Sequence, residues 1–313
     1  NDSVVSGLKD IRVIYSTNSA FAAIDKNNKV FTWGNKNFGG KTPATLNDYK
    51  IKEIYSNMYT FAAITMDKNI RVWGTKSYGG LQRKVNDFED IDKIFSTRQA
   101  HVALDSKGKL HAWGASDNGG EITPQAADAL KNVVIKKVYS TLTAFAALTV
   151  DGAVITWGNV KGGGSNEAIK DITGVSEIYA TESAFAALTK DGKVIAWGDD
   201  IKGGNSALVD ANLKNIKKIT ATGSAFAALT ADGDVVTWGD AQYGADSIEV
   251  AKFLKNVKEI YAGERAFAAV REDGVVITWG QPTQGGDSSA VSQYLTNIKK
   301  VFSARFAFAA IKN

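Results

Sequence analysis

The residues best equipped for chemistry are few. Histidine occurs twice, at His101 and His111, and a pair so close could serve as metal ligands or as an acid and base. If the chain between them turns around Ser106-Lys107, the imidazoles sit one step out of register and point to opposite faces of a sheet. A shared metal is then not expected. A serine nucleophile would need a positioned base, and no Ser-His-Asp set recurs in one pocket. Glycine pairs such as Gly39-Gly40 and Gly79-Gly80 suggest phosphate loops. None precedes a helix-opening Gly-Lys-Ser or Gly-Lys-Thr, and their repetition marks them as turns. Asp199-Asp200 lacks the alternating oxygen-ligand spacing of a calcium loop. The expectation is a chain that is not an enzyme, with no catalytic residue, no metal site and no cofactor.

A second group of residues suits recognition. Eight matched pairs differ from copy to copy: Asn18-Ser19, Met58-Tyr59, Arg98-Gln99, Leu142-Thr143, Glu182-Ser183, Gly223-Ser224, Glu264-Arg265 and Arg305-Phe306. Aromatic and guanidinium groups anchor interfaces because they combine large contact area with directed hydrogen bonds. The candidate partner-binding set is therefore Met58, Tyr59, Arg98, Gln99, Leu142, Glu182, Glu264, Arg265, Arg305 and Phe306. In a ring of repeats these pairs would form one annulus. Phe38, Tyr78, Asn118 and Tyr243 precede glycines at another matched position and are expected on the opposite face, where they pack or stack on sugar rings.

The elements that hold these positions follow from an internal repeat. Trp-Gly occurs at Trp33, Trp73, Trp113, Trp157, Trp197, Trp238 and Trp279, at spacings of 40, 40, 44, 40, 41 and 41. Phe-Ala-Ala keeps step at Phe21, Phe61, Phe145, Phe185, Phe226, Phe267 and Phe308, with His101-Val102-Ala103 in the third copy. Each copy reads as a short β run, a loop, Phe-Ala-Ala, a turn such as Asp191-Gly192, and a Trp-Gly run. Asp-Gly between apolar runs signals a hairpin because both residues tolerate positive φ. A glycine pair follows, then a polar linker with partial helical spacing ending in Leu-x-Asn, as at Leu213-Lys214-Asn215. A unit of this size is a propeller blade. Its small alanines suit crowding near a ring axis, and its tryptophan the space between sheets.

Composition excludes several classes. The 313 residues carry 37 Lys and Arg against 33 Asp and Glu, scattered without a basic block of five. Nucleic acid is not an expected partner. Lysine pairs such as Lys217-Lys218 read as solvated strand ends. Cysteine is absent, which removes a disulfide scaffold and thiolate metal sites. No run of about 18 apolar residues is present, so membrane insertion is not expected. The start at Asn1 reads as a processed protein or an excised fragment.

Ala187-Leu188 through Trp197-Gly198 resembles the signature of the regulator of chromosome condensation repeat family, and the match recurs along the chain. The compact period is similar to bacterial members of that family, including the second-type β-lactamase inhibitor proteins. The resemblance implies one all-β domain over residues 1–313, a seven-bladed β-propeller, in a secreted or extracellular bacterial protein. It implies binding to a protein partner of unknown identity through loops at the level of the annulus. Seven Trp-Gly strands accompany eight Phe-Ala-Ala hairpins, so half a blade is in surplus within residues 1–25 or 290–313. Eight blades with one incomplete is the alternative fold. Self-assembly through the surplus hairpin, or a carbohydrate-binding lectin, is the alternative function.

Overall fold

Short apolar runs separated by turn residues pair into sheets rather than coil into helices. In the computed structural model, residues 8–165, 167 and 169–313 are described. Residues 1–7 of the surplus half-blade lie outside them. The runs form seven three-stranded antiparallel sheets in chain order and an eighth of two strands.

Contacts cluster into two compact units, one running to residue 150 and including Ile155–Asn159, the other Asp151–Val154 with Val160–Asn313. In the first unit, sheet 1 is β1 (Ile11–Ser16), β2 (Ala20–Asp25) and β3 (Val30–Gly34). Sheet 2 is β4 (Ile51–Ser56), β5 (Thr60–Thr65) and β6 (Ile70–Gly74), and sheet 3 is β7 (Ile91–Ser96), β8 (Ala100–Asp105) and β9 (Leu110–Gly114). Sheet 4 is β10 (Ile135–Ser140), β11 (Ala144–Thr149) and β12 (Val154–Gly158), the division falling in its hairpin turn. The second unit holds sheet 5, β13 (Val175–Ala180), β14 (Ala184–Thr189) and β15 (Val194–Gly198), and sheet 6, β16 (Ile216–Ala221), β17 (Ala225–Thr230) and β18 (Val235–Gly239). Sheet 7 is β19 (Val257–Ala262), β20 (Ala266–Arg271) and β21 (Val276–Gly280), and sheet 8 is β22 (Ile298–Ser303) and β23 (Phe308–Lys312). The fold is all-β and built of propeller blades, which among the described residues are seven of three strands and one of two.

Within each unit, one face of a sheet supplies small residues and the next sheet supplies aromatics. Ala20, Ala22, Ile24 and Val30 pack with Ile51, Ile54, Phe61 and Trp73. In the second unit Ala225, Ala227 and Leu229 pack with Val257, Ile260, Phe267 and Trp279. Phe and Trp stack within their own sheet, as Phe226 on Trp238 with ring centroids 5.1 Å apart. The Phe-Ala-Ala strand is thus the middle strand, and its alanines leave room for the neighbouring sheet. The first strands of successive sheets also adjoin within each unit. Tyr15 reaches the backbone of Ile54, and Tyr55 that of Ile94. Tyr179 reaches Ile219, and Tyr261 reaches Val301.

The glycine pair completes each interface. Trp238 Nε1 donates to the carbonyl of Gly203 in the preceding sheet at 3.0 Å, and Trp73 does the same to Gly39 at 3.1 Å. Gly203 has φ +101°, and a Cβ there would lie 2.6 Å from Phe226 Cδ2. Both the left-handed backbone and the ring require glycine.

The hairpin turns are longer than the two-residue type. Only one residue per turn has positive φ, as Gly192 at 80° or Asn28 at 65°, and Asp191 does not. Gly192 N donates to Thr189 O, and Thr189 N to Lys193 O, a turn closed by a left-handed residue. Except at the Lys107-Gly108 turn, each turn then binds the following sheet, Ile216 N donating to Gly192 O at 3.0 Å and Ile51 N to Asn28 O at 2.8 Å. The linkers hold short 3-10 turns, such as Ala44–Asp48 and Ile248–Phe253, and an α-helical turn, Pro124–Ala129, capped by Thr123.

Candidate binding face

Strand direction decides which loops share an end. In an antiparallel sheet the end of the third strand lies beside the start of the second. Ala20 is opposite Gly34 and Thr60 opposite Gly74; in the second unit Ala184 is opposite Gly198 and Ala225 opposite Gly239. The loop after Trp-Gly therefore emerges next to the variable pair. This corrects the expectation that Phe38, Tyr78, Asn118 and Tyr243 occupy the opposite face.

In sheets 1, 2, 3, 5 and 6 a side chain just before the variable pair ties the two loops together. Thr222 Oγ1 accepts from Ala225 N at 3.0 Å and donates to Tyr243 O at 2.9 Å. Thr17 donates to Phe38 O, Thr97 to Asn118 O and Thr181 to Lys202 O. In sheet 2 Asn57 plays this part, its Nδ2 donating to Tyr78 O at 2.9 Å. Sequence reasoning missed these residues, although a recurring Thr before a varying pair is a visible signal for a side-chain-closed turn. Sheets 7 and 8 carry Gly263 and Ala304 there instead.

The variable pairs are also linked by their backbones. In the first unit Asn18 N donates to Met58 O (3.1 Å), Met58 N to Arg98 O (3.3 Å) and Arg98 N to Leu142 O (2.8 Å). In the second, Glu182 N donates to Gly223 O (2.9 Å), Gly223 N to Glu264 O (2.9 Å) and Glu264 N to Arg305 O (2.7 Å). Main-chain positions are held in a row while the side chains vary.

The candidate side chains divide accordingly. Tyr59 is half-buried between Phe38 and Tyr78, with centroids at 5.4 and 4.8 Å, so it braces an aromatic cluster. Met58, Leu142 and Glu182 are half-buried, and Arg98 is exposed. Gln99 Oε1 accepts from Asn118 Nδ2 at 3.3 Å. Arg265 lies over the Tyr243 ring at 4.6 Å. Glu264 and Arg305 approach to 3.7 Å, and Arg305 covers the exposed Phe306 ring at 5.0 Å. Each unit thus offers an aromatic and guanidinium surface on a fixed backbone.

The histidines differ from expectation. Ala103 pairs with His111 and His101 with Trp113, so both imidazoles occupy one face. The turn is one residue longer than a pivot at Ser106-Lys107 allows, and a one-residue shift exchanges faces. The two rings are engaged separately. His101 is 0 % exposed, stacks on Trp113, and has Ser96 Oγ and Thr60 Oγ1 each 2.8 Å from its ring nitrogens. Burial pushes its pKa down to about 3. The Ser96–His101 contact looks like a nucleophile and base, but so weak a base in so closed a site takes up a hydroxyl proton poorly at neutral pH. His111 Nε2 is 2.9 Å from Asp105 Oδ2. Burial opposes ionisation of Asp105, yet hydrogen bonds from His111 and the Lys107 and Lys109 amides hold its pKa below the usual carboxylate range.

No family model matches the chain, and no curated protein matches it. Among solved structures it is similar to yeast RCC1 (Prp20) bound to Kap60, with 17% identity, 97% of this chain and 80% of that chain covered, and a TM-score of 0.47. It is also similar to human WBSCR16 (16% identity, 74% and 77% covered, TM-score 0.47). A third is the ectodomain of the Arabidopsis thaliana receptor kinase ACR4 (14% identity, 87% and 98% covered, TM-score 0.47). RCC1 is the family whose repeat signature the sequence resembles.

Proposed function

We propose that this chain is a non-enzymatic binding module that recognises a protein partner through the loop end of its sheets. The observation that carries this reading is the hydrogen-bonded row in each unit: backbones fixed at 2.7–3.3 Å, side chains different at every step. Such a row presents a preorganised surface, so little ordering entropy opposes binding. Aromatic and arginine side chains on it match the composition of interface anchors. The loops after Trp-Gly belong to the same surface, which enlarges it beyond the variable pairs alone. His101 supports the non-enzymatic reading because the imidazole best placed beside a hydroxyl is sealed and weakly basic.

Affinity capture from the source organism tests this, comparing the parent chain with Arg98→Ala, Arg265→Ala and Phe306→Ala. The expected result is a specific protein retained by the parent and released about tenfold or more faster by at least one variant. Undiminished retention by all three would remove these loops from the account.

A further inference from the structure

We propose that a cavity at the turn end of sheet 3 binds a small anionic amphiphile, a carboxylate carrying a medium-length alkyl chain. The site arises from a two-residue departure inside the repeat. Sheets 6 and 7 are entered through Leu213-Lys214-Asn215-Ile216 and Leu254-Lys255-Asn256-Val257, where Ile216 and Val257 open the first strand. Sheet 4 is entered through Leu130-Lys131-Asn132-Val133-Val134-Ile135, so two valines stand between the asparagine and the strand. All three asparagines are left-handed, at φ 52–62°. Yet it is Val134 O that accepts from Val150 N, in the place where Asn215 O accepts from Ala231 N. The insert thereby separates Asn132 from the preceding hairpin turn. A Cβ at Gly192 or Gly233 would meet the Cα of Asn215 or Asn256 at 3.1 or 2.9 Å, whereas one at Gly108 would meet nothing within 4 Å. Ile135 N makes no bond to Gly108 O, which is the exception among the turns. The space so opened is a cavity of about 500 Å³, the size of a small-molecule site.

Two chemistries line it. Leu110, Ile122, Leu130 and Val133 supply apolar wall. Leu130 is half-buried, whereas Leu213 and Leu254 are 5% and 3% exposed, so the insert leaves apolar surface uncovered. Lys107, Lys109 and Lys131 border the same space and are exposed. Such side chains lay their methylene stems along an apolar wall and keep the ammonium in water. No carboxylate is among the described residues that line the cavity. Asp128 pairs with Lys131 at 2.6 Å, but both side chains are more than 70% exposed, and so exposed a pair holds the ammonium weakly. An apolar wall edged by cations fits a ligand with an apolar body and an anionic end, and it disfavours a cationic one.

Isothermal titration of the full chain with octanoate, octanol and octyltrimethylammonium is the test. Octanoate is expected to bind one site with a Kd on the order of 0.3 mM. Octanol should bind about fivefold or more weaker, and octyltrimethylammonium should not saturate. Replacing both Lys107 and Lys131 with Ala should bring octanoate to the level of octanol. Deleting Val133 and Val134 restores the interior spacing and should abolish binding of both. If circular dichroism shows that deletion misfolded, Ala127→Trp fills the cavity from an exposed lining position and is expected to weaken octanoate about tenfold or more. No saturable octanoate binding, an equal affinity for either of the other two ligands, or octanoate binding unchanged in the lysine or closed-cavity variants would overturn the proposal. None of these residues lies in the variable pairs, so retention of a protein partner is read independently of the outcome.

Discussion

His101 stands where the other copies carry phenylalanine, and its chemistry follows from that place. Burial holds the folded imidazole neutral down to about pH 3, whereas in the unfolded chain it takes a proton near pH 6.5. The unfolded state therefore binds more protons between these values. This contribution to stability is complete above pH 6.5 and declines as pH falls toward 3, by up to about 1.4 kcal/mol per unit. Replacing His101 with Phe should remove much of that acid sensitivity. Thr60 Oγ1 would keep its contacts with Asn57 and Tyr78 O, so stability at pH 7 is expected to change by only about 1 kcal/mol. Urea unfolding of both proteins at pH 7 and pH 4.5 checks this; parallel losses would refute it. The sequence marked His101 as unusual but misjudged its face, since one extra turn residue reverses every side chain beyond it.

At the scale of the element, the recurring unit is a glycine of one sheet seated on the aromatic pair of the next. Gly203→Ala adds a Cβ 2.6 Å from Phe226, whereas Gly108, at φ +82°, has nothing within 4 Å of a Cβ. Both substitutions incur the left-handed penalty of about 1 kcal/mol. Only Gly203→Ala should cost a further ~1–3 kcal/mol for overpacking, measured by chemical denaturation; equal losses would contradict the packing account. Tryptophan gives a second contrast. Trp238→Phe forfeits the hydrogen bond to Gly203 O and is expected to destabilise by about 1–2 kcal/mol. Trp33→Phe should cost less, because Trp33 Nε1 has no such acceptor among the described residues. The repeat made sheets, hairpins and Trp placement legible in advance, because period, turn residues and apolar runs are local. The role of the glycine pair was not legible, since its partner ring lies about 20 residues downstream, in another sheet.

At the scale of the molecule, the repeated sheets provide rigidity and the loop ends provide variety. Main-chain hydrogen bonds fasten successive sheets in each unit at the loop end and, except after the Lys107-Gly108 turn, at the turn end, so surface side chains can differ without disturbing the frame. The variable pairs were legible as departures from a fixed pattern. Their association with Phe38, Tyr78, Asn118 and Tyr243 was not, because it depends on strand direction rather than on spacing. Site-specific photocrosslinking tests the claim of a loop-end binding face most directly. With a benzophenone side chain at Arg98 or Phe306, one partner protein is expected in the adducts; with it at Lys107 or Lys190, in the hairpin turns, that adduct should be absent. Adducts with the same partner from the turn positions alone would contradict the account.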